Sequence, residues 1–326
     1  MSRIVALHWP QFFRTVANTG MVTARMGERC RTGVAMKSEN KGMLLGFVGV
    51  AIFALTLPLT RLAVREFDPL FLSIGRTVFA AAAAIPLLWV SGQKRPNRAD
   101  LPRLLAVVAG VVFGFPLLSA LAMQTAAAAH AAVVLAVLPL ATAVMSMVFA
   151  HERPSLAFWG WSLAGSAAVV VFALRDGGAA LHGADALLVL AVMAASMGYA
   201  AGGQLSKTLG GWQVICWALV LALPITLPIT LYLARNLTGQ ESAIGWSCFA
   251  YLGLMSQLIG FFYWNRGLSL GGVARVGQVQ LLQTFMSLVA AALILGEAIT
   301  LQAVVFALAV AACVWFGRKA AIRQTR

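Results

Sequence analysis

The sequence predicts an all-α integral membrane protein with ten transmembrane helices in two inverted five-helix repeats. Three observations lead to this fold class. The 326 residues are 61% hydrophobic and only 10% charged, whereas an ordinary soluble domain is about one-quarter charged. The apolar residues form ten runs, most of them near the length of about 20 residues that crosses a bilayer as a helix. Finally, similar sequence segments occur around residues 150 and 295.

The ten apolar runs are separated by polar stretches that carry helix start signals. Asp68 offers an N-cap before a proline at the first helical position, and Ser155 offers another N-cap. The segment 104–150 is interrupted only weakly, but a single helix of this length would be about 70 Å long, over twice the thickness of the hydrocarbon core. We therefore expect a turn near 124–130. The predicted runs are 43–61, 70–90, 104–123, 131–150, 157–174, 184–203, 213–234, 246–264, 277–296 and 300–317.

The distribution of basic residues tests the number of spans. The net charge is +14, but the basic residues lie between the apolar runs and at the chain ends, so they form no nucleic-acid-binding face. With the N-terminus inside, ten spans place 19 basic residues on the cytoplasmic side and 4 outside. Because cytoplasmic loops are enriched in Lys and Arg, this bias predicts a multi-pass protein of the cell (inner) membrane with both termini in the cytoplasm.

The N-terminal segment is basic and has no apolar stretch that would mark a signal peptide. It is interpreted either as a short interfacial helix or as an extension from a misassigned start, since Met36 would begin an ordinary short leader. The predicted organisation is a basic cytoplasmic leader over 1–42, a first repeat over 43–176, a second repeat over 184–317 and a basic cytoplasmic tail over 318–326.

The two halves share a Glu-containing turn followed by a short apolar helix. HERPSLAFWGWSLAGSAAVVVF begins at residue 151 and GEAITLQAVVFALAVAACVWF begins at residue 296. Since each half holds an odd number of spans, the second half must be inverted relative to the first. Inverted repeats are typical of secondary transporters, whose substrate site lies near the bilayer midplane between the halves.

These features resemble the drug/metabolite transporter superfamily, in particular its ten-helix members with two EamA repeats. The resemblance covers about 43–317. It rests on LPLTRLAVREFDPLFLSIGR and AMQTAAAAHAAVVLAVLPLATAVMSMVFAHERPS in the first half and on NRGLSLGGVARVGQVQLLQTFMSLVAAALILGEAIT in the second. The sequence departs from the family at His151, where a glycine usually precedes the glutamate, and it has Thr284 where the first half has Pro139.

The resemblance implies a secondary transporter that exports a small metabolite, such as an amino acid or a related compound, by alternating access. Broad export of drugs or toxins and uptake of a metabolite remain alternatives. An integral membrane enzyme is the alternative from another class, but no carboxylate pair lies within the runs and no metal or cofactor motif is found. No enzymatic activity, cofactor or metal is therefore expected. The expected partners are a small-molecule solute and the lipid bilayer, with a homodimer left open and nucleic acid excluded.

Arg76 is the clearest charge within an apolar run. It lies about 10 Å along its predicted helix from Pro69, and a charge at such depth usually faces a cavity or a partner. A guanidinium could bind an anionic group such as a carboxylate. The alternative is a structural arginine that extends to the interface or donates to backbone carbonyls.

Other candidates come from polar faces of the later runs. Gln280, Gln283, Thr284 and Ser287 fall on one helical face, which either lines a pathway or joins helices by hydrogen bonds. Trp264 is also a candidate, although aromatic residues near helix ends often form an interfacial belt. The predicted substrate-pathway residues are Arg76, Tyr199, Gln257, Trp264, Gln280 and Gln283.

Glu152 and Glu297 form a separate pair of candidates at helix ends. Each precedes a predicted helix, whose positive N-terminal dipole favours a nearby carboxylate. The two residues are therefore predicted either to cap those helices or to take part in gating.

Overall fold

The computed structural model is predominantly helical in the part of the chain that it describes. It describes residues 28–93, 95–126, 131, 134–175, 183–295, 301–317, 319–320 and 322–324. The chain divides into two units, Met1–Lys37 and Ser38–Arg326, and the candidate site belongs to the second. Of the predicted leader, residues 1–27 lie outside the described residues.

The described helices overlap all ten predicted runs. The α-helices are α1 (Glu28–Ala54), α2 (Thr56–Ala63), α3 (Pro69–Val90), α4 (Leu101–Val107), α5 (Phe115–Ala122), α6 (Leu138–Phe149), α7 (Leu156–Arg175), α8 (Gly183–Leu205), α9 (Gly211–Leu233), α10 (Ala243–Ala250), α11 (Gly260–Gly271), α12 (Val273–Gly277), α13 (Leu281–Leu295) and α14 (Leu301–Gly317). Short 3₁₀ segments cover Arg98–Asp100, Leu135–Val137, Ala234–Asn236 and Gln278–Gln280, and π-helical segments cover Val108–Gly114 and Tyr251–Ile259.

Seven stretches of the described residues are long and apolar enough to cross a membrane. They are Ser38–Ala63, Pro69–Val90, Arg98–Ala122, Ala184–Leu205, Gly211–Asn236, Ala243–Gly271 and Val273–Ile294. Two shorter apolar helices are Leu138–Phe149 and Val304–Gly317. These lengths and compositions confirm the prediction of a predominantly helical, multi-pass membrane protein.

Two predicted helix starts have the expected geometry. The Asp68 carboxylate accepts the backbone N–H of Leu70 at 2.8 Å and that of Phe71 at 3.1 Å, directly before Pro69. Ser155 accepts the N–H of Phe158 at 3.4 Å at the start of α7. Local N-cap chemistry therefore sets where these two helices begin.

Two spans contain a π-helical segment between two α-helical pieces. Val108–Gly114 lies between α4 and α5, and Tyr251–Ile259 lies between α10 and α11. A π-helical turn shifts the backbone hydrogen bonds by one residue, and such turns are frequent at functional sites. Nothing in the hydropathy pattern predicted them.

Glycines allow two pairs of helices to pack with their backbones in close contact. A Cβ atom on Gly110 would collide with the carbonyl oxygen of Ala194, so this span and α8 meet at that point. A Cβ atom on Gly267 would lie 2.7 Å from the backbone nitrogen of Gly46, so α11 approaches α1 in the same way. Small residues are the usual means of close helix packing in membranes.

A small two-stranded sheet joins distant parts of the chain at one end of the bundle. Strand β1 (Glu152–Pro154) pairs antiparallel with β2 (Ile322–Gln324), with Arg153 opposite Arg323. At the same end, Arg275 forms an ion pair with Glu39 at 2.5 Å and donates to the Ala320 carbonyl at 3.3 Å. The sheet corrects the all-α prediction locally, because strands of three residues carry too few positions for an alternating pattern.

Candidate functional site

Arg76 lies in the middle of α3 with only 3% of its surface exposed. Within the described residues its guanidinium forms no ion pair, and its Nε atom has no hydrogen-bond partner. A side chain this deeply buried has not extended to the interface. Since an unpaired charge in a low-dielectric interior costs several kcal/mol, Arg76 is the strongest indication of a ligand site in the described part of the chain.

A small cavity of about 20 Å³, with room for one or two water molecules, lies beside Arg76. Its walls are mostly apolar, with a few polar groups that converge from several helices, which is the usual make-up of a small-molecule site. The lining residues are Phe53, Thr56, Arg76, Val111, Phe115, Leu138, Tyr199, Ser256, Gln257, Phe261 and Gln283. We call this space the Arg76 cavity.

The two π-helical segments meet in the wall of the Arg76 cavity. Gln257, in the second segment, donates from its Nε2 atom to the carbonyl of Val111, in the first, at 3.1 Å. The hydroxyl groups of Thr56 and Ser256 are hydrogen-bonded at 2.8 Å. These bonds join side chains of two spans to each other and to the backbone of a third, so the cavity walls are held in place by hydrogen bonds as well as by packing.

Aromatic rings form another wall of the Arg76 cavity. Tyr199 is 5% exposed, and its ring lies 6.0 Å from that of Phe261 and 5.2 Å from that of Trp264, in an edge-on arrangement. Trp264 is fully buried and supports these rings from behind, rather than lining the cavity itself. An interfacial belt consists of rings exposed at the protein surface, so the full burial of Trp264 argues against that alternative. Its predicted role in the substrate pathway stays a prediction, since Trp264 lines neither of the two cavities described here.

A second, smaller cavity of about 10 Å³, close to the size of one water molecule, lies along the 3₁₀ segment and the start of α13. We call it the Gln280 cavity. It shares Leu138 and Gln283 with the Arg76 cavity, so the two spaces adjoin. The four residues predicted to share a helical face all reach it. Its lining residues are Leu57, Leu135, Leu138, Gln280, Gln283, Thr284 and Ser287.

Polar groups around the Gln280 cavity differ in how far they are satisfied. Ser287 donates to the Ala54 carbonyl at 2.7 Å, and Gln278 beside the cavity donates to the Ser162 hydroxyl at 2.7 Å. Gln280 is 4% exposed, and neither its amide nitrogen nor its amide oxygen has a partner in the described residues. An unsatisfied buried polar group costs about 1–3 kcal/mol.

Glu152 is 1% exposed and is fully engaged with the protein backbone. Its Oε1 atom accepts the N–H of Val273 at 2.8 Å, and its Oε2 atom accepts the N–H of Ala274 at 2.7 Å. The carboxylate therefore caps α12, in the other half of the chain. The prediction that it caps the next helix in sequence is wrong, because β1 carries Glu152 away from α7 and Ser155 occupies that helix start.

The other helix-end candidate, Glu297, lies outside the described residues. The backbone next to Glu152 does explain a departure noted in the sequence. His151 has a φ of 53°, in the left-handed region that glycine adopts without strain. A glycine at this position, as in the resembled family, fits the observed backbone.

Several residues of the Arg76 cavity were not predicted from the sequence. Thr56 and Ser256 are single hydroxyl groups in apolar runs, where they form no periodic pattern of their own. Val111 contributes a backbone carbonyl, and any residue type could supply that atom. Ser256 directly precedes Gln257, and this pair of polar residues within an apolar run was the one available signal.

A nearly buried cation, amide groups and hydroxyl groups lie around a small cavity between helices of membrane-spanning composition. A charged residue buried within such helices is typical of membrane transport proteins. Comparison with known proteins agrees with this class. The model of the EamA-like transporter family matches residues 40–174 and again residues 182–316. The chain belongs to this family, so the resemblance stated from the sequence is confirmed.

Two individual comparisons support the assignment. The chain is 45% identical over 284 residues to a Bacillus subtilis (strain 168) protein named "Uncharacterized transporter YdeK", covering 87% of this chain and 99% of that protein. A solved structure described as "Crystal structure of protein" superposes with a TM-score of 0.68 at 18% identity, covering 85% of this chain and 96% of the solved chain. The protein is a multi-pass membrane transporter with a fold already seen by experiment.

Proposed function

We propose that the protein exports a small carboxylate-bearing metabolite, such as an amino acid or a related compound, by alternating access. Arg76 is the observation that carries this proposal. In the part of the chain that the structure describes, the lining of its cavity contains no Asp or Glu that could neutralise the guanidinium. A bound carboxylate would supply the missing charge, and a planar guanidinium is suited to bind it with two hydrogen bonds.

The proposed architecture is ten spans in two inverted repeats. Helix contacts pair equivalent elements of the two halves: α3 packs on α9, and α7 packs on α14. The π-helical segments also support it, since they begin at 108 and 251 while the family matches begin at 40 and 182. They therefore occupy nearly equivalent positions in the repeats. The Arg76 cavity draws residues from both halves, as expected for a site between inverted repeats.

The proposed orientation places the Glu152 end of the bundle in the cytoplasm, with both termini on that side of the inner membrane. The bias of basic residues supports this orientation. Glu152, the β1–β2 pair and the Glu39–Arg275 ion pair all join distant segments at this end. Under alternating access, we propose that these contacts close the cytoplasmic side and release when the substrate enters.

Flux in proteoliposomes tests the proposal. Vesicles loaded with labelled amino acids and related carboxylates should release them faster when they contain the protein. Arg76→Gln should reduce this flux by about 10-fold to 100-fold, since hydrogen bonds to charged groups contribute about 1.5–3 kcal/mol. The exposed Arg98 provides the matched control, and Arg98→Gln should transport normally. Normal transport by a folded Arg76→Gln variant would contradict the proposed substrate contact.

The same vesicles test the energy source. Buried Asp, Glu or His residues commonly carry the coupling proton in proton-driven carriers, and none lines either cavity in the described residues. We therefore propose that the solute moves down its own gradient. Flux should change little when a pH gradient is imposed, and a strong dependence on that gradient would contradict this part of the proposal.

A further inference from the structure

We propose that the Gln280 cavity is a second subsite, which binds an uncharged donor–acceptor group of the same solute whose carboxylate lies at Arg76. The group would be a carboxamide or a hydroxyl. This inference rests on the proposed function and names the substrate class more narrowly: a monocarboxylate with one uncharged polar group.

The unpaired amide of Gln280 is the first observation behind this subsite. The side chain is 4% exposed, lines the cavity and leaves both its Nε2 and Oε1 atoms without partners in the described residues. Ser287, in the same lining, is already bonded to the Ala54 carbonyl. Gln280 therefore offers hydrogen-bonding capacity that the protein itself does not use.

The backbone around Gln280 holds this amide in position. The residue ends the 3₁₀ segment Gln278–Gln280, which interrupts the helical span between α12 and α13. Gln278, two residues earlier, is fixed by its hydrogen bond to Ser162. A 3₁₀ stretch within a longer helix often marks a functional position. Here Gln278 has a partner for its Nε2 atom but none for its Oε1 atom, whereas Gln280 has a partner for neither in the described residues.

The two cavities are neighbours, because Leu138 and Gln283 line the Arg76 cavity and the Gln280 cavity alike. Under the proposed alternating access, movement of the helices that carry these two side chains would join and widen the cavities. A small molecule would then place its anionic end at Arg76 and its other end at Gln280. The shared Leu138 provides an apolar surface for the carbon atoms between them.

The chemistry of the lining defines the preferred group. A carboxamide donates through its N–H groups and accepts through its oxygen, so it is best matched by a group that does both. Among the described residues, no charged side chain lines the Gln280 cavity, so a second carboxylate would enter without a counter-charge. An alkyl end would leave Gln280 unsatisfied, which discriminates strongly against a ligand that lacks the polar group.

Calorimetric titration of the full-length protein in lipid nanodiscs tests this specificity. The probes are butanoate, 4-hydroxybutanoate, succinamate and succinate, which share a short carbon chain with a carboxylate at one end and differ in the group at the other end. We expect 4-hydroxybutanoate and succinamate to bind about tenfold more tightly than butanoate, as one additional net hydrogen bond would give. Succinate should bind no better than butanoate. Equal affinity for all four probes would overturn the subsite.

Gln280→Met provides the decisive variant, because methionine has a similar length and no hydrogen-bonding amide. It should bind the two polar probes only as tightly as butanoate, while its affinity for butanoate stays at the wild-type value. Its melting temperature should equal or exceed that of the wild type, since no bond within the described protein is removed. The matched control Gln213→Met, at a glutamine outside both cavities, should keep the preference.

The outcomes separate this inference from the proposed function. If butanoate binds but Gln280→Met still binds 4-hydroxybutanoate and succinamate more tightly than butanoate, the proposal of a subsite at Gln280 is wrong. The proposed contact with Arg76 would then still stand. A marked loss of melting temperature in Gln280→Met would also overturn it, by showing that the amide is structural. If Arg76→Gln binds all four probes like the wild type, the proposed function fails, and the subsite fails with it.

Discussion

Arg76 and Glu152 are both charged and both buried, but they differ in how many partners the surrounding protein gives their charged groups. Arg76 is 3% exposed and borders a cavity without an ion-pair partner in the described residues, whereas Glu152 is 1% exposed and accepts two backbone N–H bonds. Burial and charge alone would rank them equally as functional residues. The comparison shows that the informative property is how far the surrounding protein satisfies the charge.

The two residues should therefore separate transport from stability. The Glu152 carboxylate accepts hydrogen bonds from N–H groups in the first turn of α12, and its negative charge interacts favourably with the positive end of the helix dipole. Glu152 therefore contributes to folding. The Nε atom of Arg76 has no hydrogen-bond partner in the described residues. We therefore infer that the Arg76 side chain serves ligand binding and not folding. Variants at and around these two positions test the contrast.

Arg76→Met should give the largest effect, with transport of the carboxylate reduced by about 100-fold, near the upper end expected for charge-assisted hydrogen bonds. Its melting temperature should stay the same or rise, because an apolar residue replaces an unpaired buried charge. Flux and thermal unfolding measured on one preparation check both statements. A clear fall in melting temperature would mean that Arg76 has a structural partner and that the contrast with Glu152 is wrong.

Glu152→Ala should lower the free energy of unfolding by about 2–4 kcal/mol, since two N–H groups at a buried helix start lose a charged acceptor. Thermal unfolding in detergent measures the loss. Glu241→Ala is a control at a half-buried loop glutamate, whose carboxylate accepts hydrogen bonds only from nearby Thr238 in the described residues, and we expect a smaller change there. Unchanged stability in Glu152→Ala would show that the cap is dispensable and leave gating as its only role.

Gly272→Ala should destabilise the protein by about 1–3 kcal/mol, because its φ of 85° and ψ of 146° place it near a region that is essentially restricted to glycine. An added Cβ atom would also lie 3.2 Å from Oε1 of Glu152. Gly160→Ala is the matched control, since a Cβ atom there meets nothing within 4 Å and alanine favours the helix. Equal melting temperatures for the two variants would contradict this account of α12.

His151→Gly should have the smallest effect, an increase in unfolding free energy below about 1 kcal/mol. Glycine removes the strain of the left-handed conformation but adds entropy to the unfolded chain. Thermal unfolding of His151→Gly and His151→Ala gives the comparison. A less stable glycine variant would show that the imidazole contributes more than its backbone strain costs.

Hydropathy and capping patterns predicted most of the fold, because burial in lipid imposes long apolar runs and Asp68 and Ser155 act locally. The polar face from Gln280 to Ser287 was also recognisable, since helical periodicity brings those residues together. The partner of Glu152 was not predictable in this way, because it lies over a hundred residues away in the chain. The π-helical segments depend on packing between spans, for which single-sequence patterns hold no signal.

Solvent access to position 76 tests the central claim most directly. The Arg76→Cys variant, in a background whose four native cysteines are replaced by serine or alanine, would be treated with a membrane-impermeant anionic thiol reagent. We predict that it reacts, because a solute pathway must admit water and small anions at this position. Thr238→Cys, in an exposed loop, should also react, and Leu293→Cys, on the apolar surface of α13, should not. An inert Arg76→Cys variant beside a reactive Thr238→Cys variant would contradict a solute pathway at Arg76.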